Sequence, residues 1–536
     1  MQDRLLNVNN LTVSYNRNGN EHLSIKDISF SLNKAEILSI IGESGSGKTT
    51  LSKAIAGILP TSATISGTLD FINDEIISFS NKKLQWRKIR EKKITYIFQD
   101  SFEALNPTKK IKEQFIDTIC FHKKVNKIQA IEESKKYLSY LKFKEINRVL
   151  ESYPFALSGG MLQRVCIALA LSLNPKILIA DEITSNLDVE NQDEIIKLLK
   201  EIKLKFGLSV VFITHDIRAA ALIGDRIIVF KDGIIEEQGD VDRVFKNPNK
   251  QYTKELLNNR KKLSSISPNS IKETTNPTIL KVCNLSKTFR KGNKKVLHNI
   301  SFDVKKGDVL GILGESGCGK STLARCIVGL EKIEEGEVFL NNIKISNLKH
   351  KERRKYSNKL QMVFQNSRGC LNPRRKIRQI IYEPNDYLNL YAKEDEERHI
   401  DELMSYLNLD ITILNKYPPQ LSTGQCQRVA IARALFLRPD LLICDEFTSS
   451  LDSTTKIKIL KSLIELRTLY SLSLIIISHD IYLLRYFCNR IITMYSGKIS
   501  ETRSTLFSEN KLHQSRIDYL LKKDDDMETH FQRIIL

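Results

Sequence analysis

Residues 42–49 read Gly-Glu-Ser-Gly-Ser-Gly-Lys-Thr, and residues 314–321 read Gly-Glu-Ser-Gly-Cys-Gly-Lys-Ser. Each follows an apolar run, 37–41 and 309–313, and each leads into a helical pattern, 50–57 and 322–330. The order strand, Gly-rich turn, helix restricts the chain to an α/β fold. Gly42, Gly45 and Gly47, and likewise Gly314, Gly317 and Gly319, let the backbone bend tightly enough to point its N–H groups inward. Such a cradle suits phosphate oxygens. Lys48 and Lys320 supply charge for β- and γ-phosphates, and the Thr49 and Ser321 hydroxyls can ligate Mg²⁺. Glu43, Ser44, Ser46 and Thr50 complete the first loop; Glu315, Ser316, Cys318 and Thr322 complete the second. The positive end of the following helix adds to each anion site. One Gly/Ser-rich loop can be an ordinary turn. Two in the same setting cannot.

The rest of the chain is duplicated in the same order. Segments 5–15 and 25–32 read as strands of a small antiparallel sheet ahead of the first loop. Tyr15 ends the first of them, and Phe289 ends its copy at 280–289. An aromatic there either stacks on an adenine ring or packs in the core. Strands 94–98 and 360–364 end in Gln99 and Gln365, whose amide oxygens can face a cation. Residues 102–150 show helical spacing through Ile111, Phe115, Ile119, Leu138 and Leu141. Ser158, Gly159 and Gly160 then open a helix at 165–173, with Ser158 placed as its N-cap. The buried run 177–180 ends in Asp181-Glu182, at the strand end where α/β sheets do chemistry. Asp181 can hold Mg²⁺ through water and Glu182 can polarise an attacking water. Strand 209–214 ends at His215. Ser422, Gly424 and Gln425, then Asp445-Glu446, then His479, repeat these features. Lys48 and Lys320 stand 272 residues apart, Gln99 and Gln365 266, and Asp181 and Asp445 264. This is one domain duplicated, with small loop deletions. The expected divisions are a first domain at 1–257, a Ser/Asn/Lys/Pro-rich linker at 258–278, a second domain at 279–510 and a charged tail at 511–536.

Composition adds bounds. The net charge is +20 with 41% hydrophobic residues. Basic balance fits nucleic acid or an anionic membrane surface, but Lys is spread along the chain, which equally fits an AT-rich coding composition. Nine scattered cysteines without a Cys-x2-Cys pair argue against disulfide frameworks and zinc, and fit a reducing cytosol. No run reaches 18 apolar residues and residues 1–10 lack a signal-peptide core, so neither membrane spans nor secretion is expected.

These motifs, in this order, resemble the ATP-binding cassette (ABC) family of ATPases over nearly the whole chain. The resemblance implies two tandem P-loop NTPase domains, each with a RecA-like core, an antiparallel β subdomain and an α-helical subdomain. It implies ATP and Mg²⁺ as cofactors, with Thr49, Gln99 and Asp181, and Ser321, Gln365 and Asp445, around the metal. It makes Gln99 and Gln365 Q-loop residues, Ser158–Gly160 and 421–425 signature loops, 185–188 and 449–452 D-loops, and His215 and His479 switch histidines. Glu182 and Glu446 become the catalytic carboxylates. It also implies a head-to-tail cassette pair, with loop 42–49 facing 421–425 and loop 314–321 facing 157–161.

A narrower likeness follows. Leu105-Asn-Pro107 and Leu371-Asn-Pro373 are similar to a segment of the ATPases that drive oligopeptide, dipeptide and nickel importers. Residues 245–253, followed by Leu256-Leu257, are similar to their C-terminal signature, except that Lys250-Gln251 replaces His-Pro. The implied partners are two membrane-spanning permease subunits, docked near 102–107 and 367–373, with an extracytoplasmic solute-binding protein acting through them. The implied place is the cytoplasmic face of the inner membrane, held peripherally. A soluble tandem cassette protein of the ribosome or of nucleic acid is the alternative. The short linker and the lack of zinc-type cysteine clusters speak against it, so no nucleic acid is expected. Three departures carry expectations. Cys318 at a helix N-terminus should be a reactive thiol. Thr423, where a signature Gly is usual, should restrict the backbone and slow one site. Ile183 and Phe447 replace a usual Pro after the catalytic Glu.

Overall fold

The computed structural model describes all residues except 1–3, 18–19, 44, 72–74, 80–85, 186, 188, 258–275, 290–293, 316, 347, 389, 448–452 and 505–536. The chain forms two compact units, one with the described residues up to Leu257 and one with those from Asn276 to Ser504. Most of the expected linker, the expected tail, half of the first D-loop and all of the second lie outside the described residues.

In the first unit, short apolar runs rich in Ile and Val form a largely parallel sheet. Across the described residues its order is Ile234–Asp240, Arg226–Lys231, Ile37–Gly42, Ser209–Ile213, Ile177–Asp181, Ile94–Ile97. The strands Ile37–Gly42, Ser209–Ile213 and Ile177–Asp181 are buried at every position, as strands covered on both faces must be. A second, antiparallel sheet is built from Asn20–Asn33, Arg4–Arg17, Ala63–Phe71 and Glu75–Ser78. Its alternating residues Leu6, Val8, Leu11 and Val13 pack onto Leu38, Ile40 and Leu51 of the parallel core. The helices Ile111–Lys123, Lys127–Tyr140 and Gly159–Ser172 bury Ile111, Phe115, Ile119, Leu138 and Val165 in a separate core. The three-part architecture inferred from the family resemblance is therefore present.

The second unit repeats it. Its parallel core runs Leu360–Val363, Leu441–Asp445, Ser473–Ser478, Val309–Gly314, Arg490–Tyr495, with Lys498–Ser504 antiparallel at the edge. Thr278–Phe289 and Lys294–Lys305 lead the antiparallel sheet. The helices Ile377–Leu388, Lys393–Tyr406 and Thr423–Leu435 form the helical part around Ile380, Leu403, Val429 and Phe436.

Several boundaries differ from the sequence expectation. The first strand does not stop at Tyr15 but pairs with its partner through Arg17. The helices after the phosphate loops begin at Lys48 and Lys320, and the helix after Ser158 begins at Gly159. Apolar spacing marks where a helix packs, whereas the cap marks where it starts.

Candidate active site

Both phosphate loops turn on left-handed glycines. Gly47 has φ 105° and Gly319 φ 106°, and each caps the helix that follows. A Cβ at Gly47 would lie 2.8 Å from the Ser24 carbonyl oxygen, so glycine is required both for conformation and for room. Lys48 folds back over its loop. Its ammonium donates to the carbonyls of Gly42 (2.9 Å) and Glu43 (2.7 Å) and lies 3.4 Å from the Ser46 hydroxyl. Lys320 does the same toward Gly314 (2.8 Å) and Glu315 (2.9 Å). Glu43 and Glu315 thus serve through their backbone. Ser44 and Ser316 lie outside the described residues.

The strand Ile177–Asp181 delivers Asp181 beside Thr49, whose hydroxyl is 3.4 Å from Oδ1; Ser321 donates to Asp445 Oδ1 at 2.9 Å. Burial raises both carboxyl pKa values, against hydrogen bonds from Tyr96 and Thr49 in one unit and from Ser321 in the other. The next residue breaks the strand. Glu182 has φ 49° and Glu446 φ 41°, a strained region for a side chain with a Cβ. Each is held there by its N–H, which donates to the carbonyl of Ile213 (2.8 Å) or Ile477 (3.0 Å) on the neighbouring strand. The Gln99 amide donates to Glu182 at 2.7 Å, and Gln365 to Glu446 at 2.9 Å. His215 Nδ1 lies 3.5 Å from Glu182, and Lys320 Nζ lies 3.2 Å from Glu446. Burial keeps His479 below the usual imidazole range, with the Glu446 charge opposing it.

Each unit thus gathers a lysine, a hydroxyl, an Asp-Glu pair, a Gln and a His at the carboxyl end of its parallel sheet. The hydroxyl, carboxylate and amide oxygens are hard donors, the set Mg²⁺ takes. The Glu carboxylate, fixed by a Gln and near a lysine or histidine, is placed to polarise water against a phosphate held by the loop.

Two participants were not anticipated. The Tyr96 hydroxyl donates to Asp181 Oδ2 at 2.6 Å, and Ser52 Oγ lies 3.1 Å from that hydroxyl. Burial, then the Asp181 charge, raise the Tyr96 phenol far above its usual range, so it stays a donor. The signal for it was register. Tyr96 pairs with Ile179, two residues before the acid on the adjacent strand.

Other expected residues stand as follows. Tyr15 lines a cleft of about 370 Å³ with His22, Ser24, Thr49, Thr50, Lys53 and Pro60, so it sits beside the phosphate-loop helix. Phe289 is partly exposed, with the Lys287 ammonium 5.2 Å from its ring centre. Thr322 lies in the first turn of the helix Lys320–Val328. Ser158 caps Gly159–Ser172 through the Met161 N–H, and Gly160 is packed so that a Cβ would lie 2.9 Å from Asn191 Oδ1. Ser422 and Gln425 form a reciprocal capping box: the Gln425 N–H donates to Ser422 Oγ (3.2 Å) and the Ser422 N–H to Gln425 Oε1 (3.0 Å). Gly424 is the second residue of that helix.

Two expectations are corrected. Cys318 is 7% exposed, and its burial raises the thiol pKa despite Lys320; all nine cysteines are free, yet this one is not an activated thiol. Thr423 starts the helix Thr423–Leu435 and is not among the residues with positive φ; its counterpart Gly159 does not need that region either, and a Cβ there would meet only Leu187, at 3.9 Å. The Cβ of Thr423 therefore imposes no backbone restriction. Among the described residues no helix is long and apolar enough to cross a membrane, and no His/Cys/Asp/Glu group could hold a metal by itself.

Comparison with known proteins adds three facts. The ABC transporter family profile matches residues 25–185 and 297–449. The protein named "Uncharacterized ABC transporter ATP-binding protein YejF" of Escherichia coli K12 is 34% identical, over 94% of this chain and 96% of its own length. Glutathione import ATP-binding protein GsiA is 32% identical in Escherichia coli K12, covering 95% of this chain and 88% of the relative, and 30% identical in Pectobacterium atrosepticum, covering 93% and 86%.

Proposed function

Because the chain belongs to the ABC transporter family, as a tandem ATP-binding protein that hydrolyses ATP to power transport, we propose that it energises an importer of short peptides of the glutathione class. The observation that carries hydrolysis is the doubled constellation Lys48–Asp181–Glu182–Gln99–His215 and Lys320–Asp445–Glu446–Gln365–His479. When bound, Mg²⁺ would be held by Thr49 and Asp181, and by Ser321 and Asp445, and would neutralise phosphate charge. The site roles assigned above belong to this reading, as do the domain limits 1–257 and 279–510.

Import of peptides is supported by the names of the GsiA relatives; nickel and metal chelates have no such support. Two permease subunits carry the substrate path in this reading, and the protein sits peripherally on the cytoplasmic side. The proposed docking segments have suitable form. Leu105 and Leu371 are buried anchors, while Phe98 and Phe102 stay about half exposed. The test is co-purification from membranes, followed by uptake of labelled glutathione and di- and tripeptides in vesicles. The reading expects uptake that needs ATP and vanishes in the Lys48→Ala/Lys320→Ala double variant. Recovery with ribosomes and no permease would overturn it.

A further inference from the structure

We propose that Tyr96, backed by Ser52, is a positioning residue that fixes which oxygen of Asp181 faces the nucleotide's metal in the first unit, and that the second unit lacks this device. The Tyr96 hydroxyl takes Oδ2 at 2.6 Å. Ser52 holds that hydroxyl at 3.1 Å, while donating to the Thr49 carbonyl at 2.9 Å and lying 3.5 Å from Oδ2. Oδ1 is left on the side of the Thr49 hydroxyl, 3.4 Å away. A carboxylate on a single bond can rotate. Pinning one oxygen removes that freedom before a cation arrives, and preorganised donors bind better.

The second unit offers a natural comparison. Met362 pairs with Ile443 as Tyr96 pairs with Ile179, each two residues before the acid. Ala324 stands four residues after Lys320, as Ser52 stands four after Lys48. Neither replacement carries a hydroxyl. There Asp445 takes its short contact from Ser321, on Oδ1 at 2.9 Å, so the hydroxyl that would join the metal is already committed to the acid. The two units thus prepare the same pair of donors differently, one through an auxiliary tyrosine and one through the ligand serine itself.

The inference rests on the nucleotide-site reading above. The test is Mn²⁺ binding, followed by electron paramagnetic resonance, to the full chain saturated with a non-hydrolysable ATP analogue. Tyr96→Phe should weaken Mn²⁺ at one of the two sites by about tenfold, the order expected for a hydrogen bond to a charged group. Nucleotide affinity in EDTA should not move. Unchanged Mn²⁺ affinity overturns the proposal, and so does an equal loss of metal-free nucleotide binding, which would show a merely structural role. Asp181→Asn is the companion variant. If it leaves Mn²⁺ binding intact, the site assignment itself fails; if it abolishes binding while Tyr96→Phe has no effect, only the positioning role fails.

Discussion

The two units share a backbone plan and differ in how they satisfy it, most clearly at the amino end of the parallel sheets. In the first unit Asp225 accepts the Ile37 N–H at 2.7 Å and pairs with Lys203 at 2.5 Å, while the buried Glu36 pairs with Arg226 at 3.2 Å. In the second, Asn489 accepts the equivalent N–H from Val309 at 2.7 Å and donates its amide to Asp308 at 3.0 Å. Arg467, in the place of Lys203, turns instead to the Gly307 carbonyl at 3.0 Å. Two carboxylates with two cations have become one carboxylate with an amide and one cation, Arg490, whose guanidinium lies 3.6 Å from Asp308. The backbone N–H is satisfied either way, because a buried unpaired donor is costlier than any choice of partner. What duplication preserves is the demand at each position; the residues that meet it change in sets.

The sharpest way to break the comparison is at Glu182 and Glu446, the proposed catalytic carboxylates. Glu182→Gln and Glu446→Gln should each lower single-turnover hydrolysis at their own site by about 10³-fold, within the range for lost acid–base catalysis, and trap nucleotide through gel filtration. With no backbone restriction at Thr423, the two variants are expected to reduce total ATPase activity alike; unequal single-turnover rates would show that the units differ at the chemical step. Next is the amino end of the sheets. Asn489→Asp sets a second carboxylate against Asp308 and should cost about 2 kcal/mol in urea unfolding, whereas Asp225→Asn should cost less than about 1 kcal/mol. Equal costs would mean that the two networks are interchangeable.

Acid provides a gentler test. His399, in the second unit, is buried and faces Arg438 at 3.3 Å, Glu402 at 3.8 Å, and the rings of Tyr391, Phe436 and Tyr470. The first unit has the Tyr137–Asn174 hydrogen bond in that region. Burial, then Arg438, lowers the imidazole pKa. The unfolded chain therefore takes up a proton before the folded one does. The contribution to stability is complete above about pH 6.5 and is lost as pH falls toward the folded value. His399→Gln should flatten this slope in unfolding experiments on the second unit, leaving the first unit unaltered. The smallest effect belongs to Thr423→Gly. At the first residue of a helix, the change should cost a few tenths of a kcal/mol and alter turnover by less than about twofold.

How far the sequence could be read depended on whether the physics was local. The phosphate loops were legible because glycine, lysine and hydroxyl lie within eight residues and their chemistry is set by that spacing. Asp181-Glu182 was legible because a buried strand ends there. Tyr96 was not, since its partner lies on another strand and only pairing register brings the two together. Cys318 was misjudged for the converse reason: the helix N-terminus is visible in sequence, but the burial that outweighs it is not. The segment 245–257 was matched as a signature without a physical role. Phe245, Tyr252 and Leu257 pack against Ile41, Ile217 and Val229. Glu237 accepts the N–H groups of Asn249 (2.9 Å) and Lys250 (3.2 Å), which fixes the turn between them. The signature is a clasp on the back of the first sheet, and its His-Pro departure falls on the exposed side of that turn, where Lys250 and Gln251 are solvated.

The left-handed backbone at Glu182 and Glu446 has a consequence for the chain's history and its engineering. Glycine would occupy either position with less strain, by about 1 kcal/mol or more, and the sheet would gain from the exchange. Each carboxylate is therefore kept against the preference of the fold. Selection for heat resistance alone, in a laboratory or in a lineage that no longer needs the transporter, would push these two sites toward glycine, and a sturdier chain that has lost its turnover would be the first product.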